Sequence, residues 1–254
     1  MDHIRCERGE DGVFHLRLDR PDKLNALHPE LMGEVIEAQR SLEEDPEMKV
    51  VLLSGAGRSF CAGADLTHSL SIADDPPGQR EHLRCLRDMI VGFERLAQPV
   101  VCAVHGHVLA GGLELALGCD IIVAARSARI GDQHMRAGLI PGGGDTQRIP
   151  RLLGKAQALD LLLTGRWLSA EEAARIGLIS RVADDEELMA DAAALAAELA
   201  AMSFTALREV KRLTHLAYST PLEQGLELEI DASIRYFNSP ELRTALTSFD
   251  QRAR

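Results

Sequence analysis

The sequence predicts an α/β fold with a largely parallel sheet, and three observations carry that expectation. Short apolar runs rich in branched residues alternate with stretches of helical periodicity, as crossover units require. Two of those runs lead into glycine-rich turns. The chain from Ser203 onward reads as helix broken only by short turns.

Taken in order, the alternation VFHLRL over 13–18 is a strand, and Asp11 and Gly12 before it suit a hairpin from an earlier strand near 4–7. The proline-bounded connection RPDKLNALHP follows. Pro29 opens a helix in which Leu31, Val35, Ile36 and Leu42 have helical spacing, ending near Asp45 and Pro46. Residues 49–54, KVVLLS, form a buried strand, and GAGRSFCAGADL after it is a glycine-rich turn. The polar, proline-containing stretch 67–79 reads as a mobile loop. A helix over 80–96 precedes a strand at 100–104; IIVAA at 121–125 is the next strand, followed by an extended piece at 128–131. Helices resume at 155–163. Ser169 stands as an N-cap with Glu172 in the capping-box position, and an alanine-rich helix follows over 188–201. Turn residues at 219–221 and 238–240 divide the remainder into two or three amphipathic helices.

Composition narrows the function. With 46% hydrophobic and 26% charged residues among 254, the chain can bury a sizeable core of one or two domains. The net charge of −11 argues against a general nucleic-acid binder, while Arg20, Lys23 and Arg58 form a local basic group for a phosphorylated ligand. Cysteines at 6, 61, 85, 102 and 119 include no CxxC pair, which points to reduced thiols and away from a disulfide or metal framework. The start MDHIRCERGEDG carries no apolar leader, and no stretch approaches the roughly 20 apolar residues of a membrane span. The expected location is cytoplasmic, with no membrane partner.

The stretch 99–120, PVVCAVHGHVLAGGLELALGCD, organises the rest: a buried strand breaks at Gly106, Gly111 and Gly112 and restarts as a helix carrying Glu114. It is not a phosphate loop, because Gly112 stands where the P-loop lysine belongs, and HGHVLAGG lacks the GxGxxG of a dinucleotide site. Glycines there let a ligand approach the backbone, and the amides of a first helical turn favour developing negative charge. Together with the 63–65 turn, two backbone N–H donors can point into one pocket, the arrangement of an oxyanion hole.

These segments resemble the enoyl-CoA hydratase/isomerase (crotonase) superfamily. LDRPDKLNAL, FCAGADL, HGHVLAGGLELALGCDIIVAA, GLIPGGGDTQRIPRLLG and LLLTGRWLSAEEAARIGLISRV stand in family order over nearly the whole chain. The resemblance implies a spiral of β-β-α units over 1–200 and a C-terminal helical region over 201–254 that packs trimers, often paired as hexamers. It implies an acyl-CoA substrate, no metal or redox cofactor and a homotrimer or dimer of trimers. The implied activity is hydration of a 2-enoyl-CoA in fatty acid metabolism, with a single-base isomerase, a decarboxylase or hydrolase of the same fold, or a non-catalytic acyl-CoA binder as alternatives.

Residue by residue, Ala64 and Gly111 match the two oxyanion donors, and Glu114 matches the first of the hydratase's two catalytic glutamates. Ala62 and Leu66 match the adenine and pantetheine path; Lys23, Ala26, Asp65, Gly112, Pro141 and Gly142 complete the substrate-binding set. His134 stands where a hydratase carries its second glutamate, and either takes over part of the acid–base work or lines the acyl pocket. Asp145 stands where glycine is common; it either caps a helix starting near Thr146 or faces the acyl pocket. His105 and His107 read chiefly as structural imidazoles. The tail SFDQRAR keeps Phe249 and departs from the family's usual ending.

Overall fold

Strands that are apolar on both faces must be covered on both faces, and the chain does this by winding. The structure, a computed structural model, describes residues 2–43 and 45–242. In chain order its elements are β1 (Ile4–Arg8), β2 (Val13–Leu18), α1 (Pro29–Glu43), β3 (Val50–Gly55), α2 (Leu66–Ser71), α3 (Pro76–Arg95), β4 (Val100–Val104), β5 (His107–Leu109), α4 (Gly111–Leu117), β6 (Ile121–Ala125), β7 (Arg129–Gly131), α5 (Asp145–Leu153), α6 (Lys155–Thr164), β8 (Leu168–Ser169), α7 (Ala170–Arg175), β9 (Arg181–Ala183), α8 (Leu188–Ala200), α9 (Phe204–Leu216) and α10 (Leu222–Phe237).

The main sheet runs β1-β2-β3-β4-β6-β9. Only β1 is antiparallel to its neighbour, through the hairpin expected at Asp11 and Gly12; the other pairings are parallel. Each winding then lays a shorter extended piece beside the previous one. Leu27 pairs with Ala64, Cys61 with Val108, and β5 with β7, all in parallel. The result is the β-β-α spiral. Its repeat is structural and leaves no fixed residue period, because the helices and turns joining successive strands differ in length.

Every residue of β4 is buried, as are Val50 to Ser54 of β3. The sheet's cover includes α8, which packs on β3 and β4, while α1 packs on α3, where buried Gln39 donates to the Met89 carbonyl at 2.8 Å. Ser169 caps α7 by accepting from the Glu172 N–H at 3.1 Å, as its sequence position predicts. Residues 67–79 are not a loop: Asp65 accepts from the N–H groups of Thr67 and His68 and starts α2, and Pro76 starts α3 four residues earlier than expected. The readings of Phe249 and the tail lie outside the described residues.

Candidate active site

The site is assembled by the two glycine turns. Ala110 adopts φ +47°, ψ −118°, a conformation an L side chain seldom takes, and this turns the chain sharply into α4 at Gly111. The 63–65 turn nests against it. Gly63 sits at φ +96°, and a Cβ there would come within 3.1 Å of both the Ala110 Cβ and the Leu109 carbonyl, so the loops meet this closely only with glycine. A Cβ on Gly111 would in turn lie 3.5 Å from the Ala64 nitrogen. Among the described residues, neither the Ala64 nor the Gly111 N–H donates to a backbone acceptor. Two uncommitted donors therefore stand side by side.

Glu114, one turn into α4, is fully buried. Its Oε1 accepts from the N–H groups of Gly143 and Gly144, each at 2.7 Å, and of Asp145 at 3.3 Å. Gly143 is required for this grip, since a Cβ there would lie 2.6 Å from Oε2. Oε2 itself is buried without a partner. One oxygen of the carboxylate is clamped and the other is left for chemistry.

Two acids flank His134. Its Nδ1–H donates to Asp132 Oδ1 at 2.8 Å, and its backbone N–H reaches Oδ2 of the same residue at 3.3 Å. Burial pulls the imidazole down, but the Asp132 hydrogen bond and charge, with the charge of Glu114, outweigh it and leave His134 above its ordinary value. Asp132 also meets Asp145, which is entirely buried. Burial, followed by the charge of Glu114, pushes the Asp145 carboxyl well above the usual carboxylate range. Asp145 is the first residue of α5 and makes no cap hydrogen bond, so the expected capping role does not hold. Asp132, His134 and Asp145 offer atoms within 4.8 Å of one another, a spacing a cation could also use; Asp132 and His134 are paired with each other, while both Asp145 oxygens are buried without a hydrogen-bond donor.

Residues 8–254 match the family model described as enoyl-CoA hydratase/isomerase. The chain belongs to the enoyl-CoA hydratase/isomerase family. A probable enoyl-CoA hydratase of Mycobacterium tuberculosis is 37% identical over 231 residues, covering 89% of this chain and 86% of that protein. The 1,2-epoxyphenylacetyl-CoA isomerase of Escherichia coli is also 37% identical, over 94% of this chain and 92% of its own length. Among solved structures, an enoyl-CoA hydratase from Bacillus anthracis superposes with a TM-score of 0.95 at 32% identity, covering 98% and 96% of the two chains.

Within this hydratase/isomerase framework the remaining expected residues take distinct places. Lys23 lies exposed in the short turn Pro21–Lys23, and a Cβ on Gly57 would touch Pro21, so Lys23 and the exposed Arg58 sit on adjoining loops. Arg20 does not join them: it ion-pairs with Asp65 at 3.1 Å and donates to the Ala26 carbonyl at 2.7 Å. Asp65 is thereby committed to α2 and Arg20. The Ala62 N–H donates to Leu24 at 3.0 Å, and Leu66 is 63% exposed. Gly112 abuts the Cys61 carbonyl, while half-buried Pro141 and exposed Gly142 edge the turn that holds Glu114, with Leu83 against Gly142. His105 donates to the Gly57 carbonyl at 2.9 Å, and His107 Nδ1 lies 3.2 Å from the Ser59 hydroxyl, so each imidazole has a partner on the 57–59 loop.

Three features escaped sequence reasoning. Buried Asn25 donates to the carbonyls of Ala56, Ser59 and Phe60 and so ties the two loops together. Arg148 pairs with Glu94 at 2.6 Å and donates to the Gly143 carbonyl at 2.7 Å, bracing the turn that clamps Glu114. The rings of His28, His68 and His82 meet at 5.4 and 4.9 Å, and the Nδ1 of His82 is buried without a partner. No motif links residues so far apart in sequence. A cavity of about 780 Å³ between α5 and α9 includes Leu152, Val210 and Lys211 in its lining and reaches the Gly143 turn, but Ala64, Gly111, Glu114 and His134 are not in its wall.

Proposed function

We propose that the protein adds water to a 2-enoyl-CoA. The observation that carries this reading is Glu114, clamped at one oxygen and free at the other, close to two uncommitted N–H donors. The thioester oxygen sits between the amides of Ala64 and Gly111, which makes C3 electrophilic and stabilises the enolate. Glu114 takes a proton from water as its oxygen bonds to C3, and the alkene electrons move through C2 onto the thioester oxygen. His134, as the imidazolium favoured by Asp132, returns a proton to C2 when the enolate collapses. The reaction so written needs no metal or redox cofactor.

Ala26, Ala62 and Leu66 flank the adenine and pantetheine arm, Lys23 and Arg58 meet its phosphates, and Gly112, Pro141 and Gly142 wall the acyl end. The protein works on the cytoplasmic acyl-CoA pool as a homotrimer or a dimer of trimers.

Purified protein should remove the conjugated-thioester absorbance of crotonyl-CoA. Glu114→Gln should lower that rate by about 10²–10⁴-fold while retaining acyl-CoA affinity. Conversion of a 3-enoyl-CoA without hydration of crotonyl-CoA would instead establish an isomerase, to which a single free carboxylate oxygen also points. Unchanged binding with neither reaction would leave a binder.

A further inference from the structure

Asp145 and Asp132 present carboxyl oxygens within 4.8 Å of each other, and the two cannot both be carboxylates. Neither would have a hydrogen to donate, and both oxygens of Asp145 would be orphaned in a fully buried position, at a cost that the charge of Arg148 does not outweigh. Glu114 would add a third negative charge nearby, with Oε1 already taking three backbone N–H groups. One proton resolves the conflict. An Asp145 carboxylic acid facing Asp132 becomes a donor, Asp132 remains the anion, and the anion then has partners on both sides, the Asp145 O–H and the His134 Nδ1–H.

The geometry points to Asp145 as a neutral carboxylic acid that donates to Asp132 and, through Asp132, positions the His134 imidazole. Asp145 is thus a positioning residue, and its backbone N–H also touches Glu114, so one residue adjusts both sides of the site. The sequence supports a dedicated arrangement: Asp132 and His134 are two residues apart in the turn after β7, with Gln133 between them held at φ +56°, and Asp145 comes from the start of α5. A rigid three-member row results. Its role in turnover rests on the hydratase reading, but its protonation does not, and the two can be separated in the resting enzyme.

Two measurements on substrate-free protein test the inference. Infrared spectra at neutral pH should contain the carbonyl stretch of a protonated carboxylic acid, and this band should vanish in Asp145→Asn. Histidine-labelled protein, with the His134 signal assigned by its loss in His134→Gln, should titrate at the same pH in wild type and Asp145→Asn, because an amide supplies the same donor and removes no charge. Loss of an Asp145 anion would instead lower the His134 titration by about one pH unit or more, a sizeable effect expected for a charge this close in a partly desolvated site. That fall, or absence of the infrared band, would overturn the proposal. Stoichiometric capture of Mn²⁺ by wild type but not by Asp145→Asn would overturn it too, since the cluster would then hold a cation in place of the proton. In turnover, Asp145→Leu should reduce kcat on the order of ten- to a hundredfold with little change in KM, and Asp145→Asn should recover most of that loss. Equal losses in both variants would refute the donor role.

Discussion

The tension in this site is visible at single residues. Ala110 holds a backbone conformation that costs an alanine on the order of 1–3 kcal/mol, and it does so at the position that starts α4 and presents the Gly111 amide. Ala110→Gly should therefore raise unfolding free energy in urea by about 1 kcal/mol; an unchanged midpoint would mean the conformation is unstrained. His134 makes a second residue-level prediction. Burial favours its neutral form, yet Asp132 and Glu114 prevail and its pKa lies above the ordinary value of about 6.5. If the imidazolium donates the proton to C2, turnover is fullest below that raised pKa and falls as pH rises through it. Asp132→Asn should move this alkaline limb to lower pH, which a kcat profile will detect.

Among the elements, α9 is bound to the spiral by a buried charge cluster rather than by apolar contact alone. Lys211, only 8% exposed, donates to the carbonyls of Phe93 and Gln98 at 2.8 and 2.9 Å and pairs with Asp120 at 2.7 Å. Asp120 also accepts from the Val100 N–H and from His215. Asp120 is thus the residue where the stretch around the oxyanion turn is joined to the C-terminal helices. Removing one partner of such a pair strands the other, so Asp120→Asn should destabilise by about 3–5 kcal/mol in a denaturant titration. Combining it with Lys211→Met should restore much of that loss. A loss under about 1 kcal/mol in the single variant would show that the pair is dispensable.

At the scale of the molecule, α10 carries an apolar stripe left uncovered among the described residues. Leu222, Leu226, Ile230, Ile234 and Phe237 recur at close to helical spacing, and each is about half exposed or more, up to 77% at Leu222. Burial of this stripe between copies of the chain is the physical support for the proposed homotrimer. Leu226→Glu with Ile230→Glu should shift light-scattering mass from an oligomer to a monomer; an unchanged mass would remove the stripe from the interface.

The sequence by itself determined much of this protein. The strands at 13–18, 100–104 and 121–125 and the helices opening at Pro29 and after Ser169 are local readings, fixed by apolar periodicity, proline and a cap whose effects span only a few residues. Motif order carried the family, and with it the spiral. The helix over 66–71 was missed because its signal is one aspartate cap in a polar stretch, and its stability depends on Arg20, 45 residues earlier. Tertiary structure alone decided what the acids do. Asp145 has the sequence appearance of a helix cap, yet burial beside Asp132 and Glu114 makes it a group whose charge is costly, and Asp65 takes the N-cap of α2 and an ion pair with Arg20. Charge state and partner depend on what the fold brings within a few ångströms and on the water it excludes, and neither is encoded in the spacing of residues along the chain.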